Sequence, residues 1–124
     1  RGISIKIFVP EKTDIPFITK ANYTYMRLLG QEGIIFYTLP IMNHSKLLLI
    51  DDRIALVGSQ NIDALSFDFN AEAGLYFDDP VMIKDLREIV EKWRVSAKVF
   101  DPHHAISLFD RFYSYLVRLL QPFL

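Results

Sequence analysis

The sequence predicts an α/β fold, a mixed β-sheet flanked by helices, and three observations carry that reading. Strand-period and helix-period apolar patterns alternate along the chain, and no internal repeat interrupts them. Of the 124 residues 51% are hydrophobic, enough for one domain over residues 1–124 with a core of its own. Turn residues, finally, punctuate the patterns at short intervals.

The elements follow in order. Ile3, Ile5, Ile7 and Val9 alternate with Ser4, Lys6 and Phe8 before Pro10, the period-two signature of a first strand. Residues 16–29 change to helical spacing through Phe17, Ala21, Met26, Leu28 and Leu29, and Gly30 is expected to end that helix. Gly33 then leads into a strand over residues 34–38, which makes a strand-helix-strand unit with parallel pairing.

Residues 46–50 and 54–57 are β-favouring apolar runs on either side of Asp51-Asp52-Arg53, which predicts a hairpin. Residues 47–50 are apolar on both alternating faces, as expected of a central strand. A further strand is expected over 70–77. After it Asp79-Pro80 provides an N-cap and a proline at the first helical position, and the helix runs to about residue 97. Val81, Ile83, Leu86, Ile89, Val90 and Trp93 form its apolar stripe. Over residues 105–124, Ile106, Phe109, Phe112, Tyr113, Leu116, Leu119, Leu120 and Phe123 recur at helical spacing with Arg111 and Arg118 among them. That C-terminal amphipathic helix suits either a membrane interface with anionic head groups or packing on the protein body.

Composition narrows the function classes. A net charge of -1 and a pI near 6.3 disfavour tight, sequence-independent nucleic-acid binding. The absence of cysteine excludes disulfides and thiolate metal sites. The chain opens on Arg1 and contains no apolar run of about 18 residues, so it reads as a piece of a longer protein whose spanning segments, if any, lie upstream.

The chemistry concentrates between residues 44 and 61, where His44, Lys46, Asp51, Gly58, Ser59 and Asn61 stand in the order H-x-K-x4-D-x6-G-S-x-N. An imidazole can attack phosphorus or shuttle a proton, and an ammonium two residues away can hold a phosphoryl oxygen. Ser59 and Asn61 can donate to the remaining oxygens, with Gly58 permitting close backbone approach. Phosphodiester chemistry follows, with no metal or other cofactor called for. Asp51 is a catalytic candidate by its place in the motif, while its position in the hairpin turn points to bracing the loop. His103 and His104 are adjacent but lack a carboxylate cluster, so they read as loop or helix-start residues.

This spacing resembles that of the phospholipase D superfamily. Its extension Asn61-x-Asp63-x-x-Ser66-x-x-x-Asn70-x-Glu72 is similar to the bacterial cardiolipin synthase branch, as are the strand after Arg1-Gly2, the helix end over 25–33 and the closing residues 118–124. Leu65 departs from that pattern, because relatives of this type commonly carry arginine just before the serine matching Ser66.

The resemblance implies one phospholipase D-like lobe, the second of a two-motif enzyme, whose partner lobe lies in the same chain or in a second subunit. It further implies a phosphatidyltransferase that joins two phosphatidylglycerol molecules at a bacterial membrane and releases glycerol through a phosphohistidine. One motif's histidine then attacks phosphorus and the other serves as acid and base; in a second half His44 takes the latter part, and in a homodimer two copies of His44 share both. Glu72 is the implied acceptor that fixes the His44 tautomer, with Asp63 and Asp68 as poorer candidates. Two alternatives remain at this point: a phospholipase D-like hydrolase or nuclease acting as a homodimer, and a non-catalytic lobe that shapes its partner.

Overall fold

The computed structural model describes residues 2–61 and 70–104, together with Phe112 and Tyr115. These residues fall into two compact units, one containing residues up to Asn43 and those from Ser96 onward, the other residues from His44 to Val95. The amphipathic helix expected over 105–124 lies outside the described residues, apart from Phe112 and Tyr115, which are helical and exposed. Asp63, Leu65, Ser66 and Asp68 lie outside them as well.

The first unit begins with β1 (Lys6–Pro10), α1 (Pro16–Gln31) and β2 (Ile35–Leu39). β1 and β2 pair in parallel as the pattern predicts, and Phe8 stacks on its register partner Tyr37 with ring centroids 4.8 Å apart. A two-residue strand that the sequence does not announce, β6 (Lys98–Val99), adds antiparallel to β2 and completes a mixed sheet. Ala21, Thr24 and Met26 of α1 and Phe36, Thr38 and Leu39 of β2 are buried. Both buried hydroxyls are satisfied, Thr24 by the Lys20 carbonyl at 3.1 Å and Thr38 by the Lys98 carbonyl at 3.3 Å.

Helix α1 runs through Gly30 to Gln31, and Gly33 rather than Gly30 forms its C-terminal cap. Gly33 takes a φ of 96°, the Gly33 N–H donates to the Gly30 carbonyl, and the Ile34 N–H donates to the Leu29 carbonyl, which together form a Schellman cap. Gly30 lies inside the helix with Pro102 packed against it; a Cβ there would lie 2.8 Å from the proline Cβ.

The second unit contains β3 (Lys46–Ile50), β4 (Ile54–Gly58), β5 (Gly74–Phe77) and most of α2 (Pro80–Ser96). The three strands form a second, wholly antiparallel sheet in the order β3-β4-β5. Among the described residues β3 pairs with β4 alone and β4 lies between β3 and β5, where the apolar run in β3 pointed to a central strand. Burial agrees, since Ala55 of β4 is fully buried while Leu48 of β3 is 52% exposed.

The hairpin turn places both Asp51 and Asp52 at positive φ, with the Arg53 N–H bonded to the Ile50 carbonyl at 3.0 Å, the pattern of a type I′ turn. Asp79 caps α2 as its sequence suggests: its Oδ1 accepts from the N–H groups of Val81 and Met82, each at 3.0 Å. Within the α2 stripe Ile83 is buried and Leu86, Val90 and Trp93 are half-buried, whereas Val81 and Ile89 are exposed. No described helix is long and apolar enough to cross a membrane.

Candidate active site

All the described motif residues belong to the second unit, and the antiparallel ladder decides which of them meet. Lys46 opens β3 opposite Gly58, the last residue of β4, and Gly58 stands opposite Gly74, the first residue of β5. The strand ends that carry His44-Ser45-Lys46, Gly58-Ser59 and Glu72-Ala73-Gly74 are thereby gathered at one edge of the sheet. His44 is exposed there, and Lys46 is half-buried. The Lys46 ammonium reaches back and donates to the His44 carbonyl at 3.0 Å, which ties the cation to the backbone of the imidazole.

Gly58 permits a close backbone approach within the protein itself. A Cβ at this position would lie 2.6 Å from the Ala73 carbonyl oxygen and 3.0 Å from the Gly74 Cα, so the glycine is what lets β5 run close to the end of β4. Past Gly58 the ladder continues in modified form. The Ser59 N–H donates to the Ala73 carbonyl at 2.9 Å, but the Ala73 N–H donates to the Ser59 side-chain oxygen, at 3.1 Å. The Ser59 hydroxyl in turn donates to Oε2 of Glu72.

The structure thus brings Lys46 beside His44, and Ser59 onto Glu72. Asn61 lies two residues beyond Ser59 and is exposed. Asp51 is not brought to this edge: it sits in the turn at the far end of β3, roughly 15 Å along a strand of this length. Near it the Asp52 carboxylate pairs with Arg87 of α2 at 3.2 Å, an exposed bridge that links turn to helix and adds little stability. His103 and His104 belong to the first unit, where the Asp101 carboxylate accepts from the His103 backbone N–H. The Ser59–Glu72 contact was not anticipated from sequence; the available signal was the pair Gly58 and Gly74, which come into register only once the strand pairing is known.

The first unit's parallel β1-α1-β2 arrangement and the second unit's hairpin sheet have a counterpart among solved structures. The phospholipase D family member Nuc from Salmonella typhimurium matches with a TM-score of 0.62 and 20% identity, over 80% of this chain and 65% of its own. The fold is therefore that of one phospholipase D-like lobe. At the level of sequence, the family described as "Cardiolipin synthase, PLD-like domain" matches residues 1–94, and the chain belongs to that family. Cardiolipin synthase 1 of Staphylococcus epidermidis is 33% identical over 99% of this chain, and the cardiolipin synthase of Oceanobacillus iheyensis is 32% identical over the same share. The chain spans about a quarter of the length of these curated relatives, 26% in each case.

Proposed function

We propose that this chain is one catalytic lobe of a bacterial cardiolipin synthase, which transfers a phosphatidyl group between two phosphatidylglycerol molecules and releases glycerol. The observation that most supports this is the gathering of His44, Lys46, Ser59 and Glu72 at one sheet edge, in a chain that matches cardiolipin synthases along nearly its whole length.

In the proposed reaction a histidine of the partner motif attacks phosphorus, and its nitrogen bonds to phosphorus as the bond to the glycerol oxygen breaks. His44 gives its proton to that departing oxygen. The hydroxyl of the second phosphatidylglycerol then passes its proton to His44, its oxygen bonds to phosphorus, and the nitrogen–phosphorus bond breaks. Lys46 and Asn61 hold the phosphoryl oxygens as negative charge builds on them. Glu72 fixes the imidazole in the tautomer this exchange needs. Asp51 braces the turn, in keeping with its place at the far end of β3. The aromatic and arginine-bearing segment 105–124 holds the lobe at the lipid surface through Arg111 and Arg118.

The test is His44→Ala in the complete synthase, assayed on phosphatidylglycerol vesicles. Turnover should fall by roughly 10²–10⁴, the usual contribution of a positioned acid/base, with the melting temperature unchanged because His44 is exposed and its truncation leaves no cavity. Turnover within threefold of wild type, on folded protein, would rule the assignment out. Chelator in the same assay should leave the wild-type rate unaltered, since Lys46 supplies the charge that a metal would otherwise bring.

A further inference from the structure

We propose that Ser59 is a positioning residue for Glu72 rather than a phosphoryl ligand: its hydroxyl fixes the carboxylate at the motif edge of the second sheet. The inference deepens the proposed function and rests on it. A serine hydroxyl carries a single proton, and of the two acceptors in its reach Oε2 of Glu72 is the nearer, the Ala73 carbonyl lying at 3.3 Å. The Ser59 side-chain oxygen accepts the Ala73 N–H at 3.1 Å, and the Ser59 N–H is already given to the Ala73 carbonyl at 2.9 Å. Ser59 is therefore held at three points between the ends of β4 and β5.

A hydrogen bond to a charged carboxylate is roughly twice as strong as one between neutral groups. Turning the hydroxyl to a phosphoryl oxygen would forfeit that bond, and would leave the Glu72 carboxylate without this donor beside incoming negative charge. The serine acts as a strut: one side is anchored in the strand ladder, and the other orients the acid. Gly58 completes the device, because only a residue without Cβ lets Ala73 come near enough to close the ladder around Ser59. The phosphoryl oxygens are left to Lys46 and Asn61.

The experiment is a double-mutant cycle in the complete synthase, with kcat and KM measured on phosphatidylglycerol vesicles for Ser59→Ala, Ser59→Thr, Glu72→Gln and the pair Ser59→Ala with Glu72→Gln. Melting temperatures certify that each variant is folded. Ser59→Ala should lower kcat by about tenfold or more with KM held, the mark of a residue acting on the chemical step rather than on binding. Ser59→Thr keeps the hydroxyl and should return to within about threefold of wild type. The double variant should turn over within about twofold of Glu72→Gln alone, since residues acting as a unit do not multiply.

A Ser59→Ala variant with raised KM and unchanged kcat would make Ser59 a substrate ligand and overturn the inference. So would wild-type kinetics in Ser59→Ala, multiplicative losses in the pair, or no recovery with threonine. A slow Glu72→Gln beside such a result removes only the strut and leaves the proposed function standing. A Glu72→Gln variant with wild-type turnover removes the role of Glu72 in the proposed function and the strut with it.

Discussion

At Gly58 the lack of a side chain decides where the next strand can run, and the site depends on that path. Alanine would place its Cβ 2.6 Å from the Ala73 carbonyl, so β5 must move. Gly58→Ala is expected to destabilise the protein by about 1–3 kcal/mol in urea titration, the usual cost of overpacking. Its turnover should fall further than the lost stability explains, because the Ser59–Glu72 contact moves with β5. Equal losses in Gly58→Ala and in a core variant of matched stability would refute that link. At this scale the sequence was legible in its chemistry and less so in its contacts. Spacing marked His44, Lys46, Gly58, Ser59 and Asn61 as a set, but spacing cannot say that the hydroxyl of Ser59 meets a carboxylate thirteen positions away. That requires the register of β5 on β4.

Among the elements, those whose signals are local were read well. Asp79-Pro80 at the start of α2, the turn between β3 and β4 and the parallel pairing of β1 with β2 all have their causes within a few residues or in a plain period. The end of α1 is ambiguous in the pattern because two glycines stand three apart, and only packing tells them apart. Gly33 holds the left-handed position, and Gly30 makes room for Pro102, a contact far along the chain. Gly33→Ala should cost about 1–2 kcal/mol, the penalty for a Cβ in the left-handed region.

Gly30→Ala should destabilise as well, although alanine in an open helix interior is favoured over glycine by about 1 kcal/mol. A Gly30→Ala variant that melts higher than wild type would contradict the Pro102 contact. Helix α1 also carries a titration. Burial, reinforced by the charge of Glu11, raises the pKa of Tyr23 above its ordinary 10.0, and its hydroxyl donates to the Glu11 carbonyl at 3.3 Å. The folded state holds this proton more tightly than the unfolded one. Its contribution is complete below about pH 10 and is lost as pH rises through the folded value. Tyr23→Phe should flatten that alkaline loss in melting curves; an unchanged slope would exclude Tyr23 as its source.

For the molecule as a whole, the sequence suggested one mixed sheet and the described residues form two of three strands each. A period-two pattern announces a strand but not its neighbours, and β2 finds β6 about sixty residues away. Two residues are also too few for any period to show. The second sheet carries a cross-strand row of Leu48, Leu56 and Tyr76, which are 52%, 36% and 60% exposed. This apolar row lies on the face that Lys46 shares by its alternation.

The proposed two-motif chemistry accordingly predicts that these 124 residues alone transfer no phosphatidyl group as a monomer. Light scattering on a size-exclusion column, with activity measured across the peak, checks this, and an active monomer would refute it. The hairpin has one more consequence. Lys46 and Gly58 lie equally far from Asp52 at the centre of the turn, so the intervals between the motif's letters amount to a gauge of strand length. A single residue inserted within β4 would erase no letter of the motif, yet it would carry Gly58 off the rung of Lys46 and swing Ser59 to the opposite side of the sheet. The proposed turnover would be lost by arithmetic alone.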